Sequence, residues 1–122
     1  MNILITGANR GIGLELARQL ADRGESVIAA CRTPSDELQA LDVRIEAGID
    51  VTDGDSLVRL ADRLGSTVVD VLINNAGVLR ASHFDRLENE LDDYRLQYEV
   101  NALAPLRVTQ ALGPRLGEGG KV

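Results

Sequence analysis

Apolar residues fall along this chain in two alternating patterns, short solid runs and wider helical stripes. Asn2-Ile3-Leu4-Ile5 is a run of the first kind and predicts a strand; Ile12, Leu16 and Leu20, flanked by Ala17 and Ala21, recur every four residues and predict a helix. Ser26-Val27-Ile28-Ala29-Ala30-Cys31 is a second strand, entered through Gly24 where a helix-ending glycine belongs. Thr33-Pro34-Ser35-Asp36 reads as an N-cap, a proline at the first helical position and an acidic first turn, opening a short helix to about Leu41. Val43, Ile45, Ala47 and Ile49 alternate with Arg44, Glu46, Gly48 and Asp50, which predicts a third strand at a sheet edge with one wetter face. Asp53 or Asp55 caps a helix through Leu57, Leu60, Ala61 and Leu64 that Gly65 stops. Val68 to Ile73 is the fourth strand, ending at Asn74-Asn75-Ala76-Gly77.

Residues 78–90 are polar and mixed, a loop with a short helix. A long helix is then expected from Leu91 to Leu116, apolar on much of its circumference through Leu96, Val100, Leu103, Leu106, Val108, Ala111 and Leu112. Gly117-Glu118-Gly119-Gly120 is expected to break it, with Lys121-Val122 opening a fifth strand. Repeated strand–helix units of this length imply one α/β domain over residues 1–122. Its sheet is parallel and doubly wound, in strand order 3-2-1-4 with the start of strand 5. Ligands on such sheets sit beyond the carboxyl ends of the strands. The glycine-rich stretch after the first strand, Cys31-Arg32 after the second, Asp50-Val51 after the third and Asn74 to Gly77 after the fourth all lie at such ends.

The richest of them is Thr6-Gly7-Ala8-Asn9-Arg10-Gly11-Ile12-Gly13, between the first strand and its helix. Glycine permits the tight turn and lets a phosphate approach bare amides, while the helix start offers unpaired N–H groups and a partial positive charge. Charge changes the picture further. A formal net charge of -6 argues against non-specific nucleic-acid or anionic-membrane binding, so an anionic ligand must be held by local groups. A single cysteine, Cys31, excludes an internal disulfide and fits a reducing compartment. No metal site is expected, no apolar stretch approaches the roughly 20 residues that span a bilayer, and with the first strand opening at residue 2 no leader is expected. A cytoplasmic location is the expectation.

Thr6 to Gly13, Asp50-Val51, Asn74 to Gly77 and Val100-Asn101 in a long helix resemble the short-chain dehydrogenase/reductases, in the right order over the whole chain. Tyr98 to Thr109 looks most like the C-factor and carbonyl-reductase branch. The resemblance implies a Rossmann-like fold. It also implies that Gly7, Asn9, Arg10, Gly11, Ile12 and Gly13 hold the pyrophosphate, that Asp50 and Val51 meet the adenine, and that Asn74, Ala76 and Gly77 line the ribose and nicotinamide side. About 20 residues past the glycines, where a carboxylate would accept from a ribose 2′-OH, stand Cys31 and Arg32 instead. Arg32 and Arg10 can both reach a 2′-phosphate, so NADP(H) is expected over NAD(H).

Pro105 has no N–H to give the Asn101 carbonyl, so a kink is expected there, with an acceptor freed for water. In the family, the asparagine at this position helps hold a water in a proton relay. The family's serine and Tyr-x-x-x-Lys pair cannot be formed: Tyr94 and Tyr98 are followed four residues on by Tyr98 and Ala102, Lys121 is the only lysine, and Ser82 is the last serine. His83, in a polar loop, reads as a surface residue. The expectation is thus an NADP(H)-binding portion of an oxidoreductase acting on a carbonyl or alcohol, truncated before its catalytic half and inactive alone. The alternatives are a catalytically empty NADP(H)-binding regulatory protein and a structural fragment. An open edge on the fourth strand and the apolar long helix are expected to make a homo-oligomer.

Overall fold

The structure is a computed structural model, and it describes residues 1–81 and 83–122. Five parallel strands, β1 (Asn2–Thr6), β2 (Ser26–Ala30), β3 (Arg44–Glu46), β4 (Val69–Ile73) and β5 (Leu116–Lys121), form one sheet in the order β3-β2-β1-β4-β5. The helices are α1 (Gly11–Asp22), α2 (Asp36–Gln39), α3 (Gly54–Leu64), α4 (Leu87–Tyr98) and α5 (Ala104–Leu112).

Successive side chains of a strand point to opposite faces, and here both faces are covered. Leu4, Ile28 and Leu72 pack with Leu57, Leu60 and Leu64 of α3 and Val108 and Leu112 of α5. Ile3, Ile5, Val27 and Ala29 pack on the other face, with Ala17 of α1 and Leu38 of α2. That sandwich is why β1 and β2 read as solid apolar runs. The α2 cap is Ser35, whose hydroxyl accepts from the Leu38 N–H, rather than Thr33; Asp53 caps α3.

β3 lies at the sheet edge as its alternation predicts, bonded to β2 alone. Its polar side is drier than expected. Glu46 is buried, with its carboxylate 2.8 Å from Arg44 and 3.7 Å from Arg63, so two guanidinium groups offset the loss of water.

Three expectations are corrected at the C-terminal end. β5 begins at Leu116 and contains Gly117, Gly119 and Gly120, so these glycines sit within a strand instead of ahead of one. β4 therefore has no open edge: Val69 pairs with Leu116 and Val71 with Lys121 across a bulge, and β5 is the sheet edge. The single long helix is two, α4 and α5, joined by a π turn at Glu99–Leu103 in which the Ala104 N–H reaches back to the Glu99 carbonyl. Pro105, just past that turn, has no N–H to keep a uniform α ladder, and the register change accommodates it. α4 has no buried residue, whereas Val100, Ala104, Val108 and Leu112 form one buried stripe. Among the described residues no helix is long and apolar enough to cross a membrane.

Candidate nucleotide-binding site

The carboxyl ends of β1, β2 and β4 open onto a cleft of about 470 Å³. Its floor is the turn from β1 into α1, where Gly7 and Gly11 adopt φ of 66° and 55°, values that glycine takes without strain. A Cβ on Gly7 would stand 2.8 Å from the Ala76 Cα, and one on Gly13 would collide with the Gly7 carbonyl and the Asn75 amide. At Gly11, chain neighbours aside, no atom of the described residues lies within 4 Å of such a Cβ. Two glycines are thus needed for packing and the third leaves open space. The α1 N-terminus beside that space has no side-chain cap and no acidic residue in its first turn, so its leading N–H groups face outward unanswered. That donor set suits a phosphate and fits a dinucleotide's pyrophosphate.

The loop is held from two sides. The Thr6 hydroxyl accepts from the N–H groups of Asn75 and Ala76, both at 3.1 Å, while the Asn75 amide donates to the carbonyls of Thr6 and Gly7 at 3.0 and 3.1 Å. From the other side, the Ser35 hydroxyl donates to the Asn9 carbonyl at 2.5 Å.

At the far end of the cleft lies Asp50. Its Oδ1 accepts from the Thr52 N–H at 2.9 Å and the Thr52 hydroxyl at 2.7 Å, and its own N–H donates to Ser56, which is fully buried on α3. The Thr52 N–H, then the Thr52 hydroxyl, and last the Arg32 charge hold the carboxyl below its ordinary value, so it is ionised at neutral pH. A Thr52→Val variant keeps the amide bond and loses the hydroxyl. The Asp50 titration midpoint, followed by NMR, is expected to move up toward the ordinary carboxylate value; an unmoved midpoint refutes this account. Cys31 is buried in the cleft wall, where burial pushes its thiol pKa up and keeps it protonated. It behaves as a small apolar residue there.

Of the residues singled out from the sequence, Gly7, Asn9, Arg10, Gly11, Ile12, Arg32, Asp50, Val51, Ala76 and Gly77 line this one cleft. Gly13 lies beneath it. Asn74 faces away, donating to the Thr109 hydroxyl at 3.3 Å, and its buried Oδ1 has no hydrogen-bond partner among the described residues. Asn101 reaches the cleft rim through its side chain, which accepts from the Val78 N–H and donates to the Val78 carbonyl, both at 2.8 Å. Asn75, Thr52 and Arg80 line the cleft and were missed, as was Ser56 beneath it. His83 is exposed and gives its N–H to the Glu90 carboxylate; Ser82 lies outside the described residues.

The family profile described as short chain dehydrogenase matches residues 1–122. A Rhodococcus sp. (strain AD45) protein named 1-hydroxy-2-glutathionyl-2-methyl-3-butene dehydrogenase is 42% identical, over 98% of this chain and 53% of its own length. A carbonyl reductase from Pseudomonas aeruginosa PAO1 superimposes with a TM-score of 0.87 at 36% identity, covering 98% of this chain and 58% of that one. A protein from Burkholderia multivorans, assigned as a short-chain dehydrogenase/reductase and solved with bound NADP, superimposes with a TM-score of 0.85 at 30% identity, over 98% and 55% of the two chains. The chain spans about half the length of the first of these curated relatives.

Proposed function

The chain belongs to the short chain dehydrogenase family, and we propose that it is the NADP(H)-binding portion of an oxidoreductase acting on a carbonyl or alcohol. The observation that carries this reading is the uncapped start of α1 beside the open space at Gly11, in a cleft that also presents Arg10 and Arg32. The N–H groups of that turn receive the pyrophosphate, with Gly7 and Gly13 giving the loop its close fit against Ala76 and Asn75. Arg32 and Arg10 take the 2′-phosphate, since no carboxylate stands at the end of β2 to repel it. Asp50 and Val51 meet the adenine, and Ala76 and Gly77 border the ribose and nicotinamide, with Asn74 and Gly13 supporting from behind. When bound, the nicotinamide supplies the hydride donor or acceptor.

Asn101 is assigned the water-holding position of a proton relay, and its two bonds to Val78 fix the π turn that presents its carbonyl. The 122-residue chain forms no Tyr-x-x-x-Lys pair and is inert alone under this reading. A cytoplasmic location and self-association belong to the same proposal, the latter favoured by the exposed β5 edge and by Tyr98 and Leu106.

Calorimetric titration with NADPH and NADH tests it. Each guanidinium–phosphate bond is worth about 1.5–3 kcal/mol, so NADPH is expected to bind at least roughly ten-fold tighter. NADH binding equally or more tightly overturns the cofactor assignment. Absence of binding by either removes the nucleotide reading, and carbonyl reduction by this chain with NADPH contradicts its inertness.

A further inference from the structure

We propose that Arg107, on α5 and outside the cleft lining, is a positioning residue for Asp50 and so for recognition of the nucleotide base; this rests on the nucleotide reading above. The Arg107 guanidinium donates to the Thr52 carbonyl at 3.3 Å and pairs with the Glu99 carboxylate at 3.1 Å. Thr52 in turn gives both its N–H and its hydroxyl to Asp50 Oδ1. The turn at residues 50–52 is therefore gripped twice, by Ser56 from α3 and by Arg107 from α5.

Glu99, which anchors Arg107, is also the first residue of the π turn, and Asn101 of the same turn bonds Val78 on the opposite rim. The π turn and the α5 that follows it thus hold both rims of the cleft, Thr52 through Arg107 and Val78 through Asn101. The carboxylate oxygen left over on Asp50 is the group a base amine would meet. Its direction depends on Thr52 being held.

Arg107 and Glu99 are each more than two-fifths exposed, so their pair adds little to the fold, which α3 and α5 already secure through Leu57, Leu60, Val108 and Leu112. The effect belongs to binding. An adenine presents an exocyclic amine to Asp50, whereas hypoxanthine presents a carbonyl there, so comparing NADPH with its hypoxanthine counterpart isolates this contact.

Calorimetry on the intact chain is the test. Arg107→Met is expected to weaken NADPH about five-fold, roughly one exposed charge-assisted hydrogen bond. Binding of the hypoxanthine dinucleotide should be unchanged, and Arg107→Lys should restore part of the loss. Asp50→Ala alone should remove the discrimination between bases, and adding Arg107→Met to it should cost nothing more. Equal weakening of both dinucleotides, no weakening of either, or a full additional loss in the double variant overturns the positioning role while leaving the nucleotide site standing. A wild-type chain that binds neither dinucleotide overturns the site and this role together.

Discussion

Gly13→Val is expected to be the most destabilising single substitution in the glycine loop, costing about 3–4 kcal/mol, at the upper end of what overpacking does. Gly13 is buried, its φ is not positive, and the first atom of any side chain there collides with the Gly7 carbonyl and the Asn75 amide. Neither neighbour yields cheaply. The Gly7 carbonyl belongs to the loop backbone, and the Asn75 amide is already spent on the carbonyls of Thr6 and Gly7. Relief therefore means separating β1 from the turn after β4, which also releases the two N–H groups held by the Thr6 hydroxyl. A urea midpoint equal to that of the wild type would refute this packing.

Gly11→Ala makes the useful contrast. Among the described residues, chain neighbours aside, no atom lies within 4 Å of a Cβ there, so the added methyl costs only the strain of a positive φ, about 1–2 kcal/mol. The methyl does enter the space assigned to the pyrophosphate, so this variant is expected to stay folded and lose affinity for NADPH. One glycine serves the fold and the other the ligand.

Most of the sheet was legible because β1, β2 and β4 carry apolar residues on both faces and β3 does not. Parity along β4 also held a signal that the sequence reading did not use. Leu72 points to the α3 and α5 side, while Val71 and Ile73 point to the α1 side. Continued by one step each, that alternation sends Asn74 toward α5 and Asn75 back over Thr6, as observed. The role of Asn74 in the cleft, without Asn75, is what the family resemblance implies, and it does not draw on this parity.

β5 was not legible in the same way. Glycines ordinarily break a strand, but a Cβ on Gly117 would lie 2.8 Å from the Val68 side chain and one on Gly120 would lie 2.9 Å from the Gly117 carbonyl. Gly117 answers a close approach of the Val68 side chain, a fact of tertiary packing that local composition does not carry, whereas Gly120 makes room for the backbone of β5 itself. The π turn falls between these cases. Pro105 announced a disturbance at Asn101, yet whether a helix kinks or takes one extra residue into its turn depends on what its flanks must reach, here Val78 and Thr52.

Reversing one charge, in Arg32→Asp, is expected to exchange the cofactor preference. Arg32 follows β2 at the cleft, and its carbonyl is fixed by the Gly48 N–H at 2.9 Å, so the substitution changes the side chain without freeing the backbone. The nearby Asp50 is an ionised carboxylate, an acceptor with no donor to offer a phosphate, and cannot take over the guanidinium's part. Loss of a charge-assisted bond to a 2′-phosphate removes about 1.5–3 kcal/mol, and like-charge repulsion adds to it. NADPH is therefore expected to weaken about 100-fold. NADH should hold or improve, because the new carboxylate accepts from the ribose hydroxyl. The wild-type preference should also shrink on raising salt from 0.05 to about 0.5 M, where the screening length falls to a few ångströms. Dissociation constants for both dinucleotides, measured for both proteins at two salt concentrations, decide the matter. An Arg32→Asp variant that still prefers NADPH means that the 2′-phosphate is read by another group, with Arg10 the first to examine.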